Sequence, residues 1–330
     1  MTEWWFVVFT IFVAFAFDFI DGFHDAANSI ATIVTTRVLT PLQAVIWAAL
    51  FNFISFIFFF KLAVAATVGQ DIISPDFITT TVIFVALFSG IVWNLITWYF
   101  GIPSSSWHAL IGGFIGAGFA VGGFSALVWV GIIKTVVSIF VSPVLGFFIG
   151  WALLFIFQKS LKRRKWNSQR LQKIFGRIQF ISAAGLSIGH GGNNAQRTMG
   201  IVTALLYSAH MINGPFHVPL WVILLSNFII ALGTLFGGWR IVKTLGEKIT
   251  KLNTVSGACA EGGAAATIIA GTLLGIPVAT THTVTGAITG VGAASVFARS
   301  KNYILTQITF AWLLTLPITA IMSYLLVKLL

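Results

Sequence analysis

The chain has 330 residues, of which 58% are hydrophobic, 15% aromatic and only 8% charged, with 32 Phe and 12 Trp. Soluble domains carry about 25% charged residues, so a water-soluble globular protein is excluded; apolar runs of about 20 residues, each long enough to cross a bilayer, recur from end to end and read as an all-α polytopic membrane protein. The formal charge of +11 does not signal nucleic acid, because eight of the 19 Lys and Arg fall in one acid-free stretch, QKSLKRRKWNSQRLQKIFGR, residues 158–177.

The first predicted element is the apolar run WWFVVFTIFVAFAF from Trp4. It lacks a basic flank and a small-residue cleavage site, so it reads as a retained first membrane helix, not a signal peptide. DGFHDAANS follows from Asp21, and with Asp18 it places three acids in eight residues. On a helix Asp18, Asp21 and Asp25 share one face through i+3 and i+4 steps. Three anions on one face repel, so some must be solvated, protonated or bound to cations. A carboxylate inside a membrane is costly and is normally retained for ions, protons or substrate. Asp25 is the leading candidate because its motif recurs. For Asp18 and Asp21, lining a vestibule or capping the first helix is an equal expectation.

The next motif, GIPSSSWHALIGGFIGAGFA, begins at Gly101. Proline removes an N–H and disfavours helix at the residue before it. A hydroxyl run, Ser104, Ser105 and Ser106, and a Gly-rich stretch come after it. This predicts a broken helix or re-entrant hairpin with hydroxyls at a helix N-terminus, where free N–H groups and the helix dipole suit an anion. The plainer alternative is a Pro-kinked helix whose hydroxyls bond back to their own backbone. The basic stretch 158–177 then reads as a cytoplasmic loop by the positive-inside rule. It separates a first transmembrane repeat, 1–157, from a second, 178–330.

The second half repeats the first. GFHDAANSIATIVTTR from Gly22 aligns without gaps to GGNNAQRTMGIVTALL from Gly191, setting His24 on Asn193, Asp25 on Asn194 and Asn28 on Arg197. GIPVATTHTVTGAITGVGAA from Gly275 matches the Gly101 motif, setting Pro103 on Pro277 and His108 on His282, with Thr280 and Thr281 as its hydroxyls. The motifs lie 79 residues apart in one half (Gly22 to Gly101) and 84 in the other (Gly191 to Gly275), the mark of an internal duplication. Such repeats suit a secondary transporter whose site lies where they meet, commonly with one repeat inverted. About five to six membrane segments are expected per repeat, and inversion needs an odd number of crossings in each.

Three further residues stand out. Glu261, in GACAEGGAAATIIAG, suits either a cation or proton role or a helix end. Arg197 suits gripping an anion, pairing with an acid such as Asp25, or reaching an interface. The single Cys259 excludes an intrachain disulfide. His24, His108, His190 and His282 lack the i, i+4 spacing of a helical metal pair, so neither a resident metal nor a cofactor is expected.

Together, GFHDAANSIATIVTTR, HGGNNAQRTMGIVTAL, GIPSSSWHALIGG and AEGGAAATIIAGTLLGIPVATTHTVTGAITGVGAA resemble the inorganic phosphate transporter (PiT) family over residues 18–297. The resemblance implies a symporter of inorganic phosphate in the plasma (inner) membrane, driven by H+ or Na+. It further implies two inverted repeats with re-entrant hairpins meeting at a central site. Some members carry phosphate as a complex with a divalent metal. Carried over by position, the phosphate ligands are Asp25, Asn28, Ser105, Ser106, Asn194, Arg197, Thr280 and Thr281. Asp25, Asn194, Asn193, Glu261 and Asp21 would serve the coupling ion. Two positions depart from the pattern: Asn194 stands where the family usually has Asp, and Ala279 where it usually has Ser. With one carboxylate instead of two, the site would need about one fewer cation to hold a doubly charged anion. The expected partners are phosphate, a monovalent cation and the lipid bilayer, with a homodimer as a further option. The competing readings are a permease for sulfate or another oxyanion, a channel, and a membrane enzyme, for which Ser104–Ser106 beside His108 is the sole hint.

Overall fold

A computed structural model describes residues 4–70, 72–164, 168–295 and 302–330. Among them the chain is helical, with a single isolated β-bridge between Ile73 and Leu127. The first half contributes α1 (Trp4–Thr35), α2 (Pro41–Phe53), α3 (Ala63–Gln70), α4 (Thr80–Phe100), α5 (Ser106–Gly122) and α6 (Trp129–Arg164). The second contributes α7 (Ser168–Ser208), α8 (Leu220–Phe236), α9 (Trp239–Lys243), α10 (Thr254–Leu273), α11 (Thr280–Ala294) and α12 (Asn302–Leu329). Each half contributes six helices among the described residues, but not all could cross a bilayer alone. By length and composition α1, α4, α5, α6 and α12 qualify, and a sixth span follows if α8 is joined to its continuation through Lys248, which bends by 63°. Helix α11, at 15 residues, falls short in length, and the small-residue α10 and polar α7 in composition.

The basic stretch is not the loop that its composition suggests. Helix α6 continues to Arg164 and α7 begins at Ser168, so the stretch is two helix ends, with residues 165–167 outside the described residues.

Both Gly-Ile-Pro motifs close a helix in the same way. The amides of Gly101 and Ile102 bond to the carbonyls of Trp98 and Thr97, and those of Gly275 and Ile276 to Thr272 and Gly271. This is the Schellman closure, which needs a left-handed residue; Gly101 and Gly275 supply it, with φ of +66° and +72°. Pro103 and Pro277 then bar the helix from resuming at once. Helix α5 folds back on α4, and α11 on α10.

The second helix of each hairpin packs on the last helix of the other half, α5 on α12 and α11 on α6. Gly112 and Gly116 lie against Leu316 and Ala320, and the equivalent Gly286 and Gly290 lie against Pro143 and Phe147. A methyl group at any of the four would meet backbone, so glycine at four-residue spacing is what lets these helices approach.

Helices α1 and α7 are antiparallel. Asp21 meets Asn194 at one level and Thr36 meets Gln179 at another, so the chains advance in opposite directions. Two apolar clusters flank the polar centre: Val7, Ala14 and Phe17 of α1 share one with Met199 and Leu205 of α7, while Ala27 and Ile33 share the other with Ala183 and Leu186. The polar residues of both motifs lie between the clusters.

The aligned motif glycines set how closely α1 and α7 pack on other helices. A side chain on Gly22 would strike the Ile230 carbonyl of α8, and one on Gly191 would meet the Asn52 backbone of α2 at 2.6 Å. We expect Gly22→Val to lower stability by about 1–3 kcal/mol through overpacking, read as a lower unfolding temperature in detergent. An unchanged unfolding temperature would refute the close packing of α1 on α8.

Candidate functional site

Asp18, Asp21 and Asp25 are all buried in the middle of α1. The expectation that Asp18 and Asp21 line a vestibule or cap the first helix is therefore corrected: α1 runs from Trp4 to Thr35 and its apolar first half continues straight into them. Asp25 is the hub. Its Oδ1 accepts from His24 Nδ1 at 2.8 Å and from the Thr281 hydroxyl at 3.3 Å. Its Oδ2 accepts from the Thr280 hydroxyl at 3.2 Å and from the Asn194 amide at 3.4 Å. Asn28, one turn along α1, donates to Thr281 at 2.9 Å and Thr280 at 3.4 Å. One carboxylate of the first half is thus held by the hairpin and by the long helix of the second.

Asn194 does more than lack a charge. Its amide nitrogen also donates to Asp21 Oδ2 at 3.1 Å and lies 3.2 Å from His190 Nε2. Asp21 therefore brings a second carboxylate to the place where the amide had removed one. The premise of a one-carboxylate site is corrected: the acid stands on α1 instead of α7.

Arg197 is buried and does not reach an interface, and no carboxylate lies within ion-pair distance of it among the described residues. It donates to Asn193 Oδ1 at 2.6 Å and to the Val278 carbonyl, with its guanidinium 5.2 Å from the Trp107 ring centre. Asn193 in turn donates to Thr272 and to the Ile276 carbonyl at 3.0 and 3.4 Å. Both residues thus hold the loop that precedes α11.

Glu261 lies in a different network. It accepts from Thr32 at 2.5 Å, Gln179 at 3.0 Å and Ser182 at 2.6 Å, with Thr36 donating to Gln179 at 2.9 Å. It bonds to none of the residues around Asp25.

Among the described residues, several buried polar atoms at the hub have no hydrogen-bond partner: Ser106 Oγ, Asn28 Oδ1, Asn194 Oδ1, Asp21 Oδ1 and Arg197 Nε. Leaving such groups unpaired is costly. Hydroxyl and guanidinium donors beside carboxylate and amide acceptors fit an oxyanion that still carries a proton, together with a cation.

The phosphate transporter family model matches residues 21–323. The chain belongs to the phosphate transporter family. Among curated relatives, a protein of Rhizobium meliloti (strain 1021) named "Probable low-affinity inorganic phosphate transporter" is 53% identical, over 95% of this chain and 93% of its own. One of the same name from Bacillus subtilis (strain 168) is 41% identical over the same shares. A solved structure titled "The sodium-dependent phosphate transporter" superposes with a TM-score of 0.86 at 25% identity, covering 98% of both chains.

The chain is thus a multi-pass membrane member of a transporter family, not an enzyme. For this phosphate transporter family member, composition and the duplicated motifs located most of the hub. They named His24, Ser104 and His190 without assigning their partners, and did not single out Thr97 or Asn52. His24 bridges Asp25 to Thr97 at 3.1 Å, and Ser104 donates to Thr97 at 2.8 Å. His190 lies 3.3 Å from Asn52 Oδ1. Thr97 and Asn52 belong to no repeated motif, so only their place in an apolar segment marked them.

Adjacent serines have different roles. Ser105 is the N-cap of α5 and accepts from the His108 amide at 3.4 Å, whereas Ser106 Oγ is unpartnered. At the equivalent place before α11, Ala279 offers no side-chain cap. We expect Ser105→Ala to cost about 1 kcal/mol of stability, as lost caps do, with little change in phosphate KM. Ser106→Ala should raise phosphate KM about fivefold, the weight of one hydrogen bond, with stability unchanged. Unfolding and uptake measured on both variants check this, and the reverse pattern would overturn the assignment.

Proposed function

We propose that the chain imports inorganic phosphate across the plasma membrane by cation symport. The observation that carries this reading is the Asp25 carboxylate, held jointly by Thr280, Thr281 and Asn194 from the opposite half. A site built from both halves opens and closes as they move against each other, which is alternating access. The antiparallel α1 and α7 support inverted repeats, with 1–157 and 178–330 as the two units and 158–177 on the cytoplasmic side.

In this reading Asp25, Asn28, Ser106, Arg197, Thr280 and Thr281 bind phosphate, with Ser105 shaping the helix end. Asp25, Asp21 and Asn194 hold the coupling ion, and Asn193 fixes the adjoining loop. Glu261, tied to Thr32 beyond Asn28, serves the ion's path and not the anion's. Sodium is the leading coupling ion, given the sodium-dependent structural neighbour. Two carboxylates at the hub favour phosphate over sulfate, because phosphate at neutral pH still carries a proton to donate to them.

Uptake of radiolabelled phosphate into proteoliposomes tests this, with sodium and pH gradients imposed separately, with and without magnesium, and with sulfate as competitor. Accumulation driven by sodium and resistant to sulfate is expected. A pH-driven uptake would replace the ion, and a magnesium requirement would make the cargo a metal–phosphate complex. Uptake blocked by sulfate, or none under either gradient, would overturn the reading. Light scattering of the purified protein decides between a monomer and the homodimer.

A further inference from the structure

A cavity of about 640 Å³ lies between α6, α10 and the loop that leads into α11, with Trp107 in its wall. That is in the range of pockets that hold a whole small ligand. Five hydroxyl residues line it, yet each donates to backbone: Thr67 to Gly275, Thr135 to Gly131, Ser138 to Thr135, Ser142 to Ser138 and Thr267 to Gly263. No hydroxyl hydrogen is left over for an inorganic anion, and the unpartnered Trp107 Nε1–H is itself buried away from the opening, so apart from Lys134 the surface facing the cavity is apolar.

Two other features mark its occupant. Val137, Val141 and Leu145, one turn apart along α6, line the cavity and are also exposed, so it opens on a lipid-facing helix surface. Lys134, one turn nearer the start of α6, is the charged residue of the lining, and among the described residues no carboxylate pairs with it. An apolar slot with an unpaired ammonium at its rim is complementary to an anionic amphiphile.

We propose that this cavity seats an acyl chain of an anionic phospholipid whose headgroup pairs with Lys134. The seat adjoins the transport site. Ile276 and Val278 line the cavity, and their carbonyls are the acceptors for Asn193 and Arg197. A bound chain braces that loop, so the lipid tunes how firmly the second hairpin is held.

Native mass spectrometry of the full chain, with phosphatidylglycerol and phosphatidylcholine offered in turn, tests this. The wild type should retain one phosphatidylglycerol in preference to phosphatidylcholine. Lys134→Gln should weaken that retention about fivefold, and Ala270→Phe, which fills the cavity, should abolish it while the protein stays monodisperse. In proteoliposomes, phosphatidylglycerol should change wild-type phosphate uptake, and Lys134→Gln should match the wild type in pure phosphatidylcholine. Equal retention of both lipids, or equal retention by Lys134→Gln, overturns the proposal. So does a rise in phosphate KM for Lys134→Gln that is the same in both lipids, since Lys134 would then serve free phosphate in a vestibule.

Discussion

Asp25→Asn should reduce phosphate accumulation at least about 100-fold while leaving a folded protein. The carboxylate offers two acceptor oxygens to four donors, from His24, Thr281, Thr280 and Asn194. An amide keeps one acceptor and turns an N–H toward two of those donors. Hydrogen bonds to charged groups contribute about 1.5–3 kcal/mol each, and about 2.7 kcal/mol is 100-fold in rate. The lost charge matters as well, because a coupling cation then meets one carboxylate at the hub, Asp21, instead of two. Stability should fall too, because these bonds are made inside the protein, but the glycine contacts of α1 with α8 are untouched and keep the protein folded, so uptake is compared per folded protein. The check is sodium-driven uptake in proteoliposomes beside thermal unfolding followed by tryptophan fluorescence. Uptake within about tenfold of wild type would remove Asp25 from the centre of the mechanism.

The second large effect concerns Asp21 and Asn194. Asn194→Asp alone sets a third carboxylate within reach of two others, at the 3.1 and 3.4 Å now spanned by the amide. Two like charges about 4 Å apart repel by about 4 kcal/mol at the effective dielectric of a protein surface, so transport should fall by at least about 100-fold or the unfolding temperature should drop. Asp21→Asn alone removes an acid and should weaken cation dependence. The double variant, Asp21→Asn with Asn194→Asp, restores two carboxylates and an amide in the same contact and should recover most of the uptake. Residues in direct contact couple in this way, whereas distant ones add. The double-mutant cycle in uptake, run across a sodium titration, checks it. Strict additivity of the two single changes would show that the acids act independently and would sink the exchange.

The hub itself was largely legible from the chain. The duplication singled out Asp25 and the hydroxyls Thr280 and Thr281, because it marks which polar residues in an apolar segment belong together, and the family resemblance added Asn28 and Asn194. Helical periodicity put Asp18, Asp21 and Asp25 on one face, and the Gly-Ile-Pro step announced each hairpin. Such signals are local, resting on the conformations open to glycine and proline and on the cost of burying a carboxylate. Which face meets which was decided only by tertiary packing. The contact of Asp21 with Asn194 spans 173 residues of sequence, and that of Thr32 with Glu261 spans 229. Arg197 turns to a loop carbonyl instead of an acid because the loop that precedes α11 lies against α7 there, and Glu261 is drawn into a separate network by α1 and α7 together. Close approach of the surrounding helices is likewise a property of pairs of surfaces, with Gly22 meeting α8, Gly191 meeting α2, Gly112 meeting α12 and Gly286 meeting α6. The sequence determined the class of protein and the chemistry it carries into the membrane. The antiparallel meeting of α1 and α7 determined which of those groups share a site, because a buried charge is satisfied only by what the facing helix brings to it.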